Sequence, residues 1–288
     1  MIETAHRPLL ALSILLVAAL ACSTATQLFG GEEEVGTLPG TPPPEMVATE
    51  PVSGVAPGTA PEEQPTQGVQ RAERHPTATP FYVTSEDDPR AILDLPNPDH
   101  NDFFDDPTTW FDYDDPGFAK YVVEDGHLVA TDYAAGDNAI YWSYTSFQSG
   151  NMYTEISATF GECYARDALG FVVRVQPDET PSGYALEISC DGAWRFRRLR
   201  PAQVPFEMVD WTASDLIETG EGGTNRLGIY GYHGQFYLFI NGIQVGEARD
   251  AGYTWSLGFF AAYVQSQEAY PLTATFDDFA YWNIPYQP

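Results

Sequence analysis

Positive charge is what this chain has least of. Its 288 residues carry one lysine, Lys120, and twelve arginines against 41 acidic residues, for a formal net charge of −28. Such a balance repels phosphate backbones and excludes nucleic acid as a partner. Cysteine is nearly as scarce, with three positions, Cys22, Cys163 and Cys190. No two cysteines or histidines stand at the short spacing of a zinc site. There is no G-x-S-x-G elbow, and His127 and His233 both fall at predicted hairpin turns, so a serine or cysteine triad finds no base. The glycines of GEGGTN, residues 220–225, lack the Lys-Ser/Thr that completes a phosphate loop. No apolar run reaches the roughly 20 residues that span a bilayer.

Aromatic residues are missing from one whole region. Residues 31–80 contain no Phe, Trp or Tyr and ten prolines, whereas all six tryptophans and all seventeen tyrosines lie beyond Phe81. A stretch of that kind cannot bury enough apolar surface to offset its ordering entropy. Residues 22–80 therefore read as a disordered Pro/Thr/Gly/Glu-rich tether, partly polyproline, with a root-mean-square span of about 40 Å. Residues 81–100 are a turn-rich lead-in, and residues 101–288 form the globular domain.

The start, MIETAHRPLLALSILLVAALACST, places Arg7 before thirteen mostly apolar residues, 9–21. That length fits the hydrophobic region of a secretory signal, residues 1–21. Its end, Ala19-Leu20-Ala21-Cys22, resembles a bacterial lipoprotein lipobox, although Ala19 stands where leucine is commonest. The resemblance implies lipidation of Cys22 and export to the outer face of the cell membrane, held by a lipid anchor. An ordinary cleaved signal with an incidental cysteine is the other reading.

Within the domain the clearest pattern is NRLGIYGYHGQFYLFINGIQVGEARD, residues 225–250. Leu227 and Ile229, then Phe236, Leu238 and Ile240, then Ile243 and Val245 alternate with period two, as on strands with one buried face. His233-Gly234 and Asn241-Gly242 separate the sets, and Asn-Gly suits a type I′ turn. A three-stranded meander is predicted. Its alternation directs Tyr230, Tyr232, Tyr237 and Phe239 away from the core. Two readings stand: a loop or second layer covers these rings, or they form an open platform that stacks on sugar.

Further alternating segments follow the same plan: KYVVEDGHLVATDY with a turn at Asp125-Gly126, AIYWSY, MYTEISATF, LGFVVRV, YALEIS, WRFRRLR, WSLGFFAAYV and TATFDDFAYW. Short strands at this spacing, without a convincing amphipathic helix, predict an all-β antiparallel sandwich. Cys163 and Cys190 flank LGFVVRV and YALEIS, predicted antiparallel neighbours, and in an exported domain such a pair reads as a disulfide. Two free thiols are the alternative.

Candidate chemistry is sparse. Glu187 is an acid inside a clear strand, but it stands alone there, while a retaining glycosidase needs two carboxylates about 5 Å apart. Asp102, Asp105 and Asp106 open the domain and Asp277-Asp278 lie in its last strand. If first and last strands pair, these oxygens suit a structural calcium ion; otherwise they are a solvated acidic edge. No other cofactor is indicated. Arg195, Arg197, Arg198 and Arg200 of WRFRRLR form the only basic run. They either pair with nearby acids or meet an anionic polysaccharide, where guanidinium forks suit carboxylates.

NDFFDDP, the GFVVRV…GYALEISCDGAWRFRR hairpin, VDWTASDLIETGEGGTNRL, FYLFINGIQVGE and TATFDDFAYW together resemble the concanavalin A-like (laminin G-like) jelly-roll superfamily. Within it they are similar to a bacterial lipoprotein-borne branch near family-16-type glucanases and 3-keto-disaccharide hydrolase-like domains. The resemblance covers about residues 101–284. It implies a jelly roll with a concave sheet across which lectins and glucanases bind saccharides. The family-16 signature E-x-D-x-x-E is missing, which favours binding over hydrolysis. The expected function is a non-catalytic, lipid-anchored module for a polysaccharide or glycoconjugate, using the aromatic face. An adhesion module for protein and a hydrolase with unrecognised carboxylates are the alternatives.

Overall fold

The computed structural model describes residues 85–286, apart from 137–138, 179–180, 201–202 and 253. The expected signal peptide, Cys22 and the tether lie outside the described residues. Strands account for nearly all the regular structure: β1 (His100–Asp102), β2 (Tyr113–Asp115), β3 (Ala119–Glu124), β4 (His127–Asp132), β5 (Tyr141–Ser149), β6 (Met152–Phe160), β7 (Ala168–Val175) and β8 (Gly183–Ser189). They continue with β9 (Ala193–Leu199), β10 (Phe206–Ala213), β11 (Thr224–Tyr232), β12 (Gln235–Ile240), β13 (Ile243–Arg249), β14 (Gly258–Gln265) and β15 (Leu272–Asn283). Among the described residues a 3-10 turn, Pro89–Ile92, precedes them.

Every pairing is antiparallel, and the strands form two sheets. The nine-stranded sheet runs β13-β12-β11-β6-β15-β4-β3-β2, with β1 also on β15; the six-stranded sheet runs β10-β9-β8-β7-β14-β5. Neighbours distant in sequence, such as β6 with β15 and β7 with β14, arise because the chain crosses repeatedly between sheets. This is the all-β jelly-roll sandwich that the alternating pattern predicts.

The meander forms as expected. Asn241 and Gly242 both take positive φ, 49° and 79°, as do Asp125 and Gly126, 52° and 79°, in the β3–β4 hairpin. Leu227, Ile229, Phe236, Leu238 and Ile240 have no exposed surface and meet the other sheet across the core. Phe236 lies 4.5 Å from Tyr184 and 5.2 Å from Phe196, centroid to centroid. Each side chain so buried contributes about 1.5–3 kcal/mol. The third apolar set departs from expectation: β13 is an edge strand with a register shift against β12, and Ile243 stays 53% exposed.

Two further differences matter for the site. The short strand pairings of β1 and β2, and the whole of β10, are additional to the predicted strands. The lead-in is not a passive connector either. Residues 88–95 lie against the outer face of the nine-stranded sheet, where Leu93 and Leu95 pack on a second cluster containing Tyr153, Tyr230, Phe239 and Trp282.

Candidate binding groove

The open aromatic platform is corrected by this packing. Tyr230 and Phe239 are buried, at 5% and 1% exposure, and Tyr232 and Tyr237 are half-buried in the same cluster. The cover is anchored by Arg90, itself 2% exposed. Asp88 caps the 3-10 turn by accepting from the Arg90 backbone N–H at 2.9 Å and pairs with the Arg90 guanidinium at 2.7 Å. The guanidinium sits 3.9 Å from the Phe239 ring centroid and donates to Tyr153 Oη and the Gly242 carbonyl. Trp282 Nε1 donates to the Asp94 carbonyl at 3.0 Å. Burial pushes the Tyr230 phenol up to about 12, helped by Tyr237 and Tyr232 alongside. Period two correctly placed these rings away from the main core; apolar surface of that size is stable only when something covers it.

The outer face of the six-stranded sheet is different in kind. Strand alternation divides the basic run: Trp194 and Phe196 enter the core, whereas Arg195 and Arg197 face outward. Arg198 turns the other way, to Asp250 at 3.1 Å and Thr254 at 2.9 Å. Arg200, past the strand end, donates to the Val204 carbonyl at 2.7 Å. One row crosses four strands, because Arg195 opposes Glu187, Glu187 opposes Gly170, and Gly170 opposes Tyr263. Gly170 is required there: a Cβ would sit 2.3 Å from the Tyr263 ring. Without one, the ring lies across β7 and its hydroxyl reaches Glu187.

Glu187 thus becomes the hub of a buried network. It accepts from Arg195 Nε, from Arg197 Nη2 at 2.5 Å and from the Tyr263 hydroxyl. Arg197 Nη2 also reaches Tyr263 Oη at 3.3 Å and Gln265 Oε1 at 3.4 Å. Burial alone would raise the Glu187 carboxyl, but the charges of Arg197 and Arg195, with the hydrogen bonds of Arg195 and Tyr263, hold it below the usual carboxylate range. Burial, and then the Glu187 charge, push the Tyr263 phenol far above its ordinary value, so it acts as a neutral donor.

Above this floor opens a groove of about 910 Å³. It spans the sheet from Glu207 and Trp211 on β10 to Ile140 before β5, and Arg166, Gln267, Arg200 and Val204 complete its rim. Trp211 carries two guanidiniums near its ring centroid, Arg195 at 4.3 Å and Arg166 at 5.0 Å. Arg166 also donates to Ser189 Oγ and Asp191. Glu207 lies 3.6 Å from Arg195 Nη1. Its carboxyl is raised, first by burial and further by Glu187 and Asp210, against the opposing pull of Arg195 and Arg197. Four guanidiniums therefore face the groove, and the acids touching them are Glu187, Glu207 and Asp191.

The rim is fixed from below. Cys163 and Cys190 form the expected disulfide, with Cα atoms 5.9 Å apart, tying the loop that bears Arg166 to the turn before β9. Asp167, with no exposed surface, accepts from the backbone N–H groups of Tyr164, Gln267, Glu268 and Ala269. That single carboxylate joins the β6–β7 and β14–β15 loops, the two that place Arg166 and Gln267.

The acidic residues considered for calcium are not gathered together. β1 does pair with β15, Asp102 opposite Phe279. Asp102, however, accepts from the Phe104 backbone N–H at 2.8 Å and from Trp110 Nε1 at 3.1 Å. Asp277 lies 3.2 Å from His127 Nδ1 and accepts from the Asp278 backbone N–H, and Asp105 is exposed. Among the described residues no three His, Cys, Asp or Glu side chains are placed to hold a metal ion.

Sequence reasoning reached Glu187, Arg195, Arg197 and Arg200 but missed Trp211 and Asp167. Two register shifts between β9 and β10, at Glu207/Val209 and Val209/Thr212, break the period that would have placed Trp211 on the outer face. No family model matches this sequence, and comparison with curated proteins finds no match. Solved structures similar to the chain include the carbohydrate-binding module CBM66 from Bacillus subtilis, 14% identical, TM-score 0.47, covering 62% of this chain and 98% of that one. A Bacillus licheniformis β-glucanase is 10% identical, TM-score 0.47, covering 64% and 98%. A Bacillus subtilis protein of unknown function with a galectin-like fold is 13% identical, TM-score 0.43, covering 64% and 94%.

Proposed function

We propose that this chain is a non-catalytic binding module that takes a saccharide polymer in the groove on the outer face of the six-stranded sheet. The observation that carries this reading is the groove itself: a cleft of about 910 Å³ crossing the sheet, lined by arginine forks and the amides of Gln203, Gln265 and Gln267. Planar donors and amides of this kind suit hydroxyl-rich ligands, which need several directed hydrogen bonds at once. The occupied state of Glu187 supports binding over hydrolysis, since its lone pairs are taken by Arg195, Arg197 and Tyr263. An ionised, fully bonded carboxylate is poorly suited to giving a proton to a leaving group.

Affinity electrophoresis of the full chain in gels containing soluble polysaccharides tests the proposal. At least one polysaccharide should retard the protein, and Gln265→Ala with Gln267→Ala should weaken that retardation. Migration unchanged by every polysaccharide, neutral and acidic, would sink it. Display at the cell surface through lipidated Cys22 belongs to the same proposal and rests on the apolar run ending at that cysteine. Cys22→Ala should move the protein from the membrane to the soluble fraction; full retention in the membrane would refute the anchor.

A further inference from the structure

Resting on that binding reading, we infer that the groove selects an acidic saccharide, a sugar polymer bearing carboxylate or sulfate oxyanions, through Arg166, Arg197 and Arg200. The first support is the distribution of charge. The chain has a net charge of −28, so its surface as a whole repels polyanions. Yet four of its twelve arginines converge on one cleft. A scattered arginine on an acidic protein finds an acid partner; four facing one space offer a coherent patch to an anion.

The second support is the pattern of used and unused donors. An arginine carries five N–H donors in a planar fork. Arg197 is 6% exposed, yet its hydrogen bonds leave from Nη2 alone, and its buried Nε has no partner. Arg200 Nε is likewise buried without a partner, while its Nη2 holds the Val204 carbonyl. Those Nε atoms are shut off from the cleft, as is that of Arg198, but Nη1 of Arg197 and of Arg200 is neither bonded within the protein nor buried, so it is the donor a ligand oxyanion can reach.

The third is how the cations are held. Trp211 lies near the guanidiniums of Arg195 and Arg166, a cation–π contact that restrains both cations beside the cleft. Glu187 fixes Arg195 and Arg197 from beneath. Preset guanidiniums bind an oxyanion without further ordering cost.

The test compares polygalacturonate, dextran sulfate and uncharged dextran and β-glucan against the full chain by titration calorimetry at fixed ionic strength. Three proteins are used: wild type, Arg166→Ala with Arg200→Ala, and Arg249→Ala as a charge control on β13 of the other sheet. Near-ultraviolet circular dichroism confirms each fold. An acidic polymer should bind well above the neutral ones, the groove variant should weaken it about tenfold or more, and Arg249→Ala should not. Polygalacturonate and dextran sulfate tell carboxylate from sulfate. Neutral polymers binding as tightly as acidic ones would overturn the acidic preference and leave saccharide binding standing. An equal loss in Arg249→Ala would reduce the effect to bulk charge and also overturn it. No binding to any polymer would remove both proposals.

Discussion

Glu187→Gln takes one charge from the floor of the groove while keeping the side chain's volume. The carboxylate has no exposed surface, and the side chains of Arg195 and Arg197 that it neutralises are 14% and 7% exposed. Removing one partner of a buried ion pair costs about 3–5 kcal/mol, because the remaining charge stays buried without compensation. Glutamine retains one carbonyl acceptor, so the lower end applies, about 3 kcal/mol. For a domain of this size that lowers Tm by about 6–12 °C. The pH dependence carries a sign of its own. The folded Glu187 carboxyl lies below its ordinary value, so its contribution is fully present above the unfolded pKa of about 4.3 and is lost as pH falls through the folded value. The gap between wild type and variant should hold constant from pH 7 to 5, then close below about pH 4. Urea unfolding followed by tryptophan fluorescence, with the disulfide intact, measures it. A variant within about 0.5 kcal/mol of wild type at pH 7, or a gap that widens in acid, would refute the network as described.

Replacing both Cys163 and Cys190 by Ala should cost about 3–4 kcal/mol, the loop entropy released by 27 residues of separation, again read from urea unfolding; less than about 1 kcal/mol would refute it. Arg90→Ala removes the contact on Phe239 and the bonds to Tyr153 and Gly242, and should raise amide exchange across residues 88–95 and destabilise by about 2 kcal/mol. Unchanged exchange there would mean that the cover is held by something else. Lowering pH from 7 to the ordinary glutamate value of about 4.3 should tighten binding of dextran sulfate, which does not titrate there. Protonating Glu207, whose carboxyl is raised, removes the acid beside Arg195, and among the described residues no histidine lines the groove. Glu207→Gln should abolish that dependence, and a persisting slope would assign it elsewhere.

Much of the architecture was readable in one dimension. Period-two alternation fixes which side chains share a face, and that spacing alone puts Leu227, Phe236 and Ile240 on the core side, where all three are fully buried. Turn chemistry is equally local: Asn241-Gly242 closes its hairpin because two successive residues must take positive φ. Even the division of the basic run, Arg195 and Arg197 on one side and Arg198 on the other, follows from the same period.

Tertiary structure alone decided what each outward face meets. Phe239 and Glu187 both point away from the main core, yet one lies beneath Arg90 and the other beneath an open cleft. Nothing within either strand distinguishes them, because the cover over Phe239 comes from a segment about 150 residues earlier in the chain. Trp211 shares the groove with Glu207, four residues before it, although two register shifts against β9 interrupt the alternation between them. Gly170 shows the same limit: it reads as a weak point in β7 until Tyr263, 93 residues later, is seen to need that space. Alternation is a property of the backbone and travels with the sequence, whereas a site depends on which residues distant in the chain arrive on the same face.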